Sequence, residues 1–319
     1  MMERRKIKLK FIDQWVGHVP EEDKCYKLLS KHFDIELSNA PDYVIDGGLG
    51  DDYLRYDNAI KIANIGENIV PDFNFFDYAI GFDRLDFGDR YLRVPLYAFY
   101  GQYGLLGRRE PPDPKSLLDR GFCSYVVSNA GLADPIRTQF FHELCKYKKV
   151  DSGGRHLNNV GGPVVDKMAF CAKYKFNIAF ENCSSPGYVT EKVMQPMTCF
   201  SLPIYYGDPL VEEEFSPLSI VHVRGRDDIE RAIDEVIRLD RNDDEYIARV
   251  MAPCLSKPFG HYESLLEDFL VAIFSKAKDE ARRLNVYGYQ RHLRDRRAKL
   301  HRLERTVAAP IRFIRRVTG

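Results

Sequence analysis

Short apolar runs separated by polar turns set the rhythm of this chain. KIKLKFID (6–13) alternates apolar and polar positions, which predicts a strand. EEDKCYKLLSKHF (21–33) carries acids in its first turn and apolar residues at 25, 28, 29 and 33, which predicts a helix. IELS (35–38), YVIDGG (43–48), NAIKIANIGEN (58–68), FDYAIGFD (76–83) and RYLRVPLY (90–97) continue the pattern. GRREPPDPKS (107–116), rich in proline and charge, reads as a linker. The pattern then restarts. FCSYVVSN (122–129) predicts a strand, and DPIRTQFFHELCKY (134–147) a helix with Pro135 at its first position, where no N–H is needed. VVDKMAFCAKY (164–174) predicts a helix and KFNIAFEN (175–182) a strand. YVTEKVMQPMTCF (188–200) predicts a helix that must kink, begin or end near Pro196, whose ring clashes with the carbonyl four residues back. LPIYYGD (202–208) and SIVHVRG (219–225) are strands; 226–239, 243–253 and 262–284 are helical.

Strands mixed with helices in two successive blocks predict two open α/β domains with mostly parallel sheets. The boundaries fall at 1–116 and 117–276, with a tail at 277–319. In open parallel sheets ligands bind outside the carboxyl ends of strands. That rule selects the loops at 46–50, 65–68, 128–137, 181–192 and 207–209.

Composition narrows the class. The chain has 319 residues and zero formal net charge, so no overall field draws it to nucleic acid. Its seven cysteines form no CxxC pair, and its eight histidines lack ligand spacing, so neither a disulfide framework nor a metal site is expected. A reducing cytoplasm fits. The N-terminus MMERRKIKLKFIDQW lacks the apolar core of a signal peptide. No G-x-G-x-x-G turn, P-loop, G-x-S-x-G or H-E-x-x-H occurs.

FENCSSPGYVTEK (180–192) is the strongest local signal. A strand runs into a small-residue loop and then a helix start, whose free N–H groups and partial positive charge suit an anion. Lys192 adds a mobile charge, and Tyr188 can stack on a flat ring or donate a hydrogen bond. The plainer reading makes Glu191 and Lys192 a solvated helix start. Arg137, in the first turn of the helix after SYVVSN, has the donor fork that grips phosphate; a surface salt bridge is the plainer reading. Glu67, after Gly66 in NIGEN, projects at a strand's carboxyl end, either as a general base or as a solvated loop acid.

YKFNIAFENCSSPGYVTEKV followed by LPIYYGDP resembles the donor-binding signature of the α1,3-fucosyltransferases, glycosyltransferase family ten, and the bacterial members most. NIGENIVPDFNFFDYAIGFDRLDFGDRYLRVPLY resembles their acceptor-domain segment, and CSYVVSNAGLADPIRTQFFHEL the start of their donor domain. The resemblance spans roughly residues 58 to 260 and is weak before that. It implies the GT-B fold: two Rossmann-like doubly wound domains facing a cleft, here followed by a helical basic tail. It implies inverting transfer of L-fucose from GDP-fucose to N-acetylglucosamine of a lactosamine-type glycan. Arg137, Asn182, Tyr188, Glu191 and Lys192 would bind the donor, with Glu181, Ser128, Asn129, Val189 and Thr190 as neighbours. Arg137 and Lys192 would neutralise the leaving diphosphate, so no metal or other cofactor is required, though Mn or Mg could stimulate turnover. Glu67 would take the acceptor proton. Pro186, the paired serines and Pro196 depart from the family pattern beside the donor loop. The alternatives are a transferase of another GDP-sugar, an α1,4-fucosyltransferase, and a non-enzymatic nucleotide-sugar binding protein that would not need Glu67.

Residues 291–319 hold ten Lys/Arg and two acids, a tail of +8 against −8 for the remainder. Val286, Leu293, Leu300, Val307 and Ile314 recur every seven residues between the arginines. An apolar stripe with a basic face suits an anionic leaflet, and family tails of this kind associate with membranes. The expected location is therefore cytoplasmic, peripheral on the inner face of the bacterial membrane, with an oligosaccharide or lipopolysaccharide acceptor. A homodimeric coiled coil or docking on the protein's own surface are the alternatives. Pro310 is expected to interrupt the helix.

Overall fold

Strands buried on both faces read as continuous apolar runs, and such strands form parallel sheets covered by helices. The computed structural model, which describes residues 4–129 and 131–317 with side chains as far as Thr306, contains two parallel sheets with such strands at their centres, while the first strand keeps Lys6 and Lys8 exposed. Among the described residues every strand pairing in them is parallel.

The first sheet is built from β1 (Lys6–Ile12), then α1 (Lys24–Ser30), β2 (Asp34–Leu37), β3 (Tyr43–Asp46), β4 (Ile60–Asn64), β5 (Tyr78–Gly81) and β6 (Tyr91–Arg93), in the order β2-β1-β3-β4-β5-β6. α1 is shorter than its periodicity predicts. Asp23 interrupts the segment: its carboxylate caps the Cys25 N–H at 2.8 Å and pairs with His18 at 3.0 Å, so the helix starts after it. Residues before it form a single 3-10 turn at Pro20–Glu22.

The chain continues through two short helices, α2 (Tyr103–Leu106) and α3 (Pro114–Leu118), into the second sheet. That sheet comprises β7 (Gly121–Tyr125), α4 (Ile136–Cys145), β8 (Val150–Ser152), α5 (Lys167–Cys171), β9 (Tyr174–Phe180), α6 (Glu191–Thr198), β10 (Leu202–Tyr206) and β11 (Val221–His222), in the order β11-β10-β9-β7-β8. α7 (Ile229–Arg241) and α8 (Asp243–Met251) follow. β8, too short to show a period, has no sequence signal. All seven residues of β9 and all five of β10 are buried, and Phe122, Phe140, Phe176, Phe180 and Tyr246 fill the core around them.

The predicted helix over 262–284 is two helices, α9 (His261–Phe274) and α10 (Lys278–Ala281). α9 stops because Phe274, fully buried, stacks on Tyr43 at 4.3 Å, and Arg5 takes the carbonyls of Ser275 and Lys276 at 3.0 and 2.8 Å. The last helix, α11 (Gly288–Val317), runs through Pro310 without the expected break. A proline there removes one hydrogen bond, and the turns on either side carry the helix on. Val307 and Ile314 of the heptad pattern lie outside the described side chains. Residues 1–3, where the signal-peptide reading begins, are likewise outside.

The compact units differ from the expected domain limits. One holds the chain up to Gly81, Leu85–Val94 and everything from Tyr262 onward; the other holds Phe82–Arg84 and Pro95–His261. The supposed linker is anchored in the second unit: Arg109 lies over the Phe200 ring at 3.9 Å and donates to the carbonyls of Met197 and Val250. The expected tail belongs to the first unit, where buried Asp77 accepts the N–H groups of Lys61, Arg283 and Leu284.

Candidate functional site

The second sheet reverses its winding between β7 and β9, and the chain ends of adjacent strands diverge there to leave a crevice. A cavity of about 210 Å³ occupies that point, lined by Val126–Asn129 beyond β7, by Asn177–Phe180 and Asn182 of β9 and its loop, and by Arg137, Lys167, Glu191 and Lys192. Gly154 lets the neighbouring loop press on the backbone here; a Cβ would stand 1.9 Å from the Val127 carbonyl oxygen.

Arg137, on the first turn of α4, is 3% exposed. Its Nη1 donates to Asn182 Oδ1 at 3.0 Å, while its Nε is enclosed without an acceptor. Among the described residues no carboxylate ion-pairs with it. A buried, uncompensated guanidinium costs several kcal/mol unless an anion joins it. Its field is felt nearby: burial first, then the Arg137 charge, hold His156 below its usual range.

Lys192 stands on α6, which begins where Thr190 caps the Lys192 N–H. Glu181, fully buried, organises this corner. Its oxygens accept the Thr190 N–H at 2.8 Å, the Thr190 hydroxyl at 2.8 Å and the Lys192 ammonium at 3.0 Å. Burial works against charge on Lys192, yet Glu181 and Glu191 outweigh it and hold the amine above its usual range. Burial also opposes the Glu191 carboxylate, but Lys192 and Lys167 pull it below the carboxylate range. Lys167, the first residue of α5, is lowered by its burial and partly rescued by Glu191. Three cations and one anion thus share the cavity, a net positive lining suited to a multiply charged anion.

Of the residues expected here, Ser128, Asn129, Arg137, Asn182, Glu191 and Lys192 line the cavity. Glu181, Val189 and Thr190 stand behind it: Val189 is buried and its carbonyl accepts the Tyr97 N–H at 3.0 Å. Tyr188 does not line it. Its ring is 4% exposed and packs at 5.1 Å against Phe82, with Leu96 in the same cluster. Gly187, at φ +90°, sets that inward course, since a Cβ there would fall 2.3 Å from the Phe82 carbonyl oxygen. Lys167 was missed; VVDKM reads only as a capped helix start. Glu67 lies in the first unit, exposed in the loop after β4. Pro196 falls in the last turn of α6, which ends two residues later. Among the described residues no three His, Cys, Asp or Glu side chains cluster to hold a metal.

Two family models match the chain. The N-terminal domain of the α-(1,3)-fucosyltransferase FucT matches residues 9–100, and the C-terminal part of glycosyltransferase family 10 matches residues 120–249. The α-(1,3)-fucosyltransferase FucT of Helicobacter pylori is 36% identical over 282 residues, 76% of this chain; the chain spans only 59% of that relative. A crystal structure of an α1,3-fucosyltransferase superposes with a TM-score of 0.74 at 31% identity, covering 86% of this chain and 91% of that one. One with GDP-fucose gives 0.73 at 29% identity, over 86% and 93%. Over 86% of its length the chain thus follows a two-sheet glycosyltransferase architecture.

Proposed function

The chain belongs to glycosyltransferase family 10, and from that premise we propose that it is an inverting α1,3-fucosyltransferase moving L-fucose from GDP-fucose to N-acetylglucosamine of a lactosamine-type glycan. The observation that carries this reading is Arg137, buried without a counter-ion beside Lys192 at the switch point of the second sheet. The diphosphate of the donor supplies the missing anion. The cavity, about 210 Å³, takes part of a nucleotide sugar, with the remainder over its open side.

In the proposed step the acceptor hydroxyl oxygen attacks the anomeric carbon of fucose. The bond from that carbon to the β-phosphate oxygen breaks, its electron pair leaves with GDP, and the hydroxyl proton passes to Glu67. Arg137 and Lys192, fixed before reaction by Asn182 and Glu181, neutralise the charge that develops on the diphosphate. Preorganised charge of this kind is worth about 10²–10³ in rate. These two cations do the work a divalent ion does elsewhere, so we propose that Mn or Mg is not essential. Glu191 and Asn182 contact the donor beside them.

The membrane reading of the tail is also proposed. Leu300 and Leu303 of α11 are exposed at 45% and 61%, and the arginines around them fit an anionic leaflet. Among the described residues no helix is long and apolar enough to cross a membrane. A cytoplasmic, peripheral protein acting on an oligosaccharide or lipopolysaccharide fits both features; a homodimer through the same stripe is the other use of it.

The test is a transfer assay with GDP-fucose and N-acetyllactosamine on wild type and Glu67→Gln, with GDP binding by calorimetry. Wild type should transfer, and the variant should lose about 10²–10⁴ in kcat while keeping its GDP affinity. Linkage analysis of the product by NMR separates the 3- from the 4-position. GDP binding without transfer would mean another GDP-sugar or another acceptor. No GDP binding would sink the reading.

A further inference from the structure

The winding of the first sheet also reverses, between β1 and β3, and the loops beyond β1, β3 and β4 carry groups that no step above uses. The chain's only tryptophan, Trp15, stands there with 57% of its surface open. An exposed indole is the largest apolar face a protein can show, and this one is held in place. It meets the His18 ring at 4.7 Å and 89°, and His18, enclosed, is pinned by Asp23 at 3.0 Å.

The three loops form one ridge. Leu49 N–H donates to the Asp13 carbonyl at 3.1 Å, joining the loop after β3 to the loop after β1. A Cβ on Gly48 would stand 3.5 Å from the Ile65 and Ile69 methyls, so the loop after β4 is next in contact. Ile69 N–H in turn donates to the Glu67 carbonyl at 2.8 Å. Strands β1 and β4 are two spacings apart, about 10 Å, within the span of a disaccharide. Leu49, Ile69 and Val70 are exposed along the ridge, at 55%, 45% and 63%.

We propose that Trp15 is the stacking platform for the acceptor glycan, a neutral pyranoside lying along this ridge with its reacting hydroxyl toward Glu67. This rests on the transferase reading above. The C–H face of a pyranose is apolar and electron-poor, and the indole face is apolar and electron-rich. Asp13, Asp51 and Asp52 lie at the same strand ends; Arg297 pairs with Asp51 and Arg305 with Asp52, while half-buried Asp13 is held in the left-handed region, φ +50°, where its carboxylate accepts the Asp52 N–H at 2.7 Å. Carboxylates with spare lone pairs accept from sugar hydroxyls, and repel phosphate.

Because Trp15 is the sole tryptophan, its emission reports the site directly in the full-length wild-type protein. Titration with N-acetyllactosamine, without donor, should give a saturable blue shift whose midpoint matches the acceptor KM. Trp15→Ala should raise that KM about tenfold with little change in kcat, and Trp15→Phe should recover most of the loss. Trp15 is exposed, so its truncation opens no core, and circular dichroism checks the fold. Three results overturn the proposal: no saturable shift at glycan concentrations that saturate transfer; a fall in kcat with KM unmoved; or a shift with anionic vesicles or protein concentration instead of glycan. Transfer without a shift defeats the platform and leaves the function standing. A shift without transfer does the reverse.

Discussion

The carboxyl edges of the two sheets are built alike and lined oppositely. In each, parallel strands reverse their winding beside the first strand of the unit, β1 or β7, and loops gather at the gap. At the second edge the lining is buried Arg137 with half-buried Lys167 and Lys192 and one carboxylate, Glu191. At the first edge it is Asp13, Asp51 and Asp52 beside an exposed indole and exposed aliphatics. Topology decides where a ligand goes; the loops decide which ligand. A net positive lining suits a diphosphate, whereas an acidic ridge with an aromatic face suits a neutral polyol.

The sharpest way to break this division is Arg137→Ala. If the second edge alone holds the anion, the variant should lose about 10²–10³ in kcat/KM for donor, and GDP affinity should fall with it. Arg137→Lys should recover little, because an ammonium cannot donate to Asn182 and a phosphate oxygen from one rigid fork. The acceptor-induced shift in Trp15 emission should persist in both variants. Its loss would show that the edges do not act separately. Calorimetry with GDP and a fluorescence titration with glycan read the two arms.

How far the sequence reaches is clear from these same residues. The strands were legible because burial on both faces demands apolar runs, as in KFNIAF and LPIYY. Arg137, Asn182, Glu191 and Lys192 were legible because the expected strand ends placed them there and the motif resemblance assigned them a role; all four line the cavity. The inward course of Tyr188 was not, since nothing local tells whether an aromatic residue in a loop turns in or out; Gly187 and Phe82 decide it. Lys167 was invisible because it is 25 residues from Lys192 and meets it only through the fold. The compact units divide the chain elsewhere for a similar reason. A proline- and charge-rich stretch reads as a linker, yet Arg109 within it is anchored by a ring and two carbonyls far along the chain.

A smaller effect sharpens the acidic side of the comparison. Asp46, at the end of β3, is 1% exposed; its Oδ1 accepts the Gly48 N–H at 2.7 Å, and its Oδ2 has no partner. Burial, reinforced by the neighbouring Asp13 and Asp51 charges, pushes it up to about 8. Between the ordinary carboxyl range and pH 8 the folded protein therefore holds a proton here that the unfolded chain releases. Stability must then fall as pH rises through that window, by at most about 1.4 kcal/mol per pH unit. Asp46→Asn mimics the protonated acid and should remove that slope, gaining on wild type from pH 5 to pH 8 in urea unfolding. A wild type that gains on the variant instead would mean Asp46 is ionised in the fold.

The smallest effect concerns the tail, which touches the acidic edge. Arg297 pairs with both oxygens of Asp51 at 3.1 and 3.2 Å, Arg305 with Asp52 at 3.1 Å, and His301 stands 3.8 Å from Asp51. The helix thus docks by its basic face and leaves Leu300 and Leu303 outward. Exposed ion pairs contribute about 0–1 kcal/mol each and are screened by salt. Arg297→Ala should therefore leave the unfolding midpoint almost unmoved while speeding amide exchange across residues 288–306. Raising salt should speed exchange in wild type and change little in the variant. Anionic lipid headgroups compete for the same arginines, so vesicles containing phosphatidylserine should speed exchange in 288–306 at low salt and not at high salt. Exchange that ignores salt, vesicles and Arg297→Ala alike would show that packing, through Arg294 and its carbonyl partners at Asn74 and Asn285, holds this helix and the ion pairs do not.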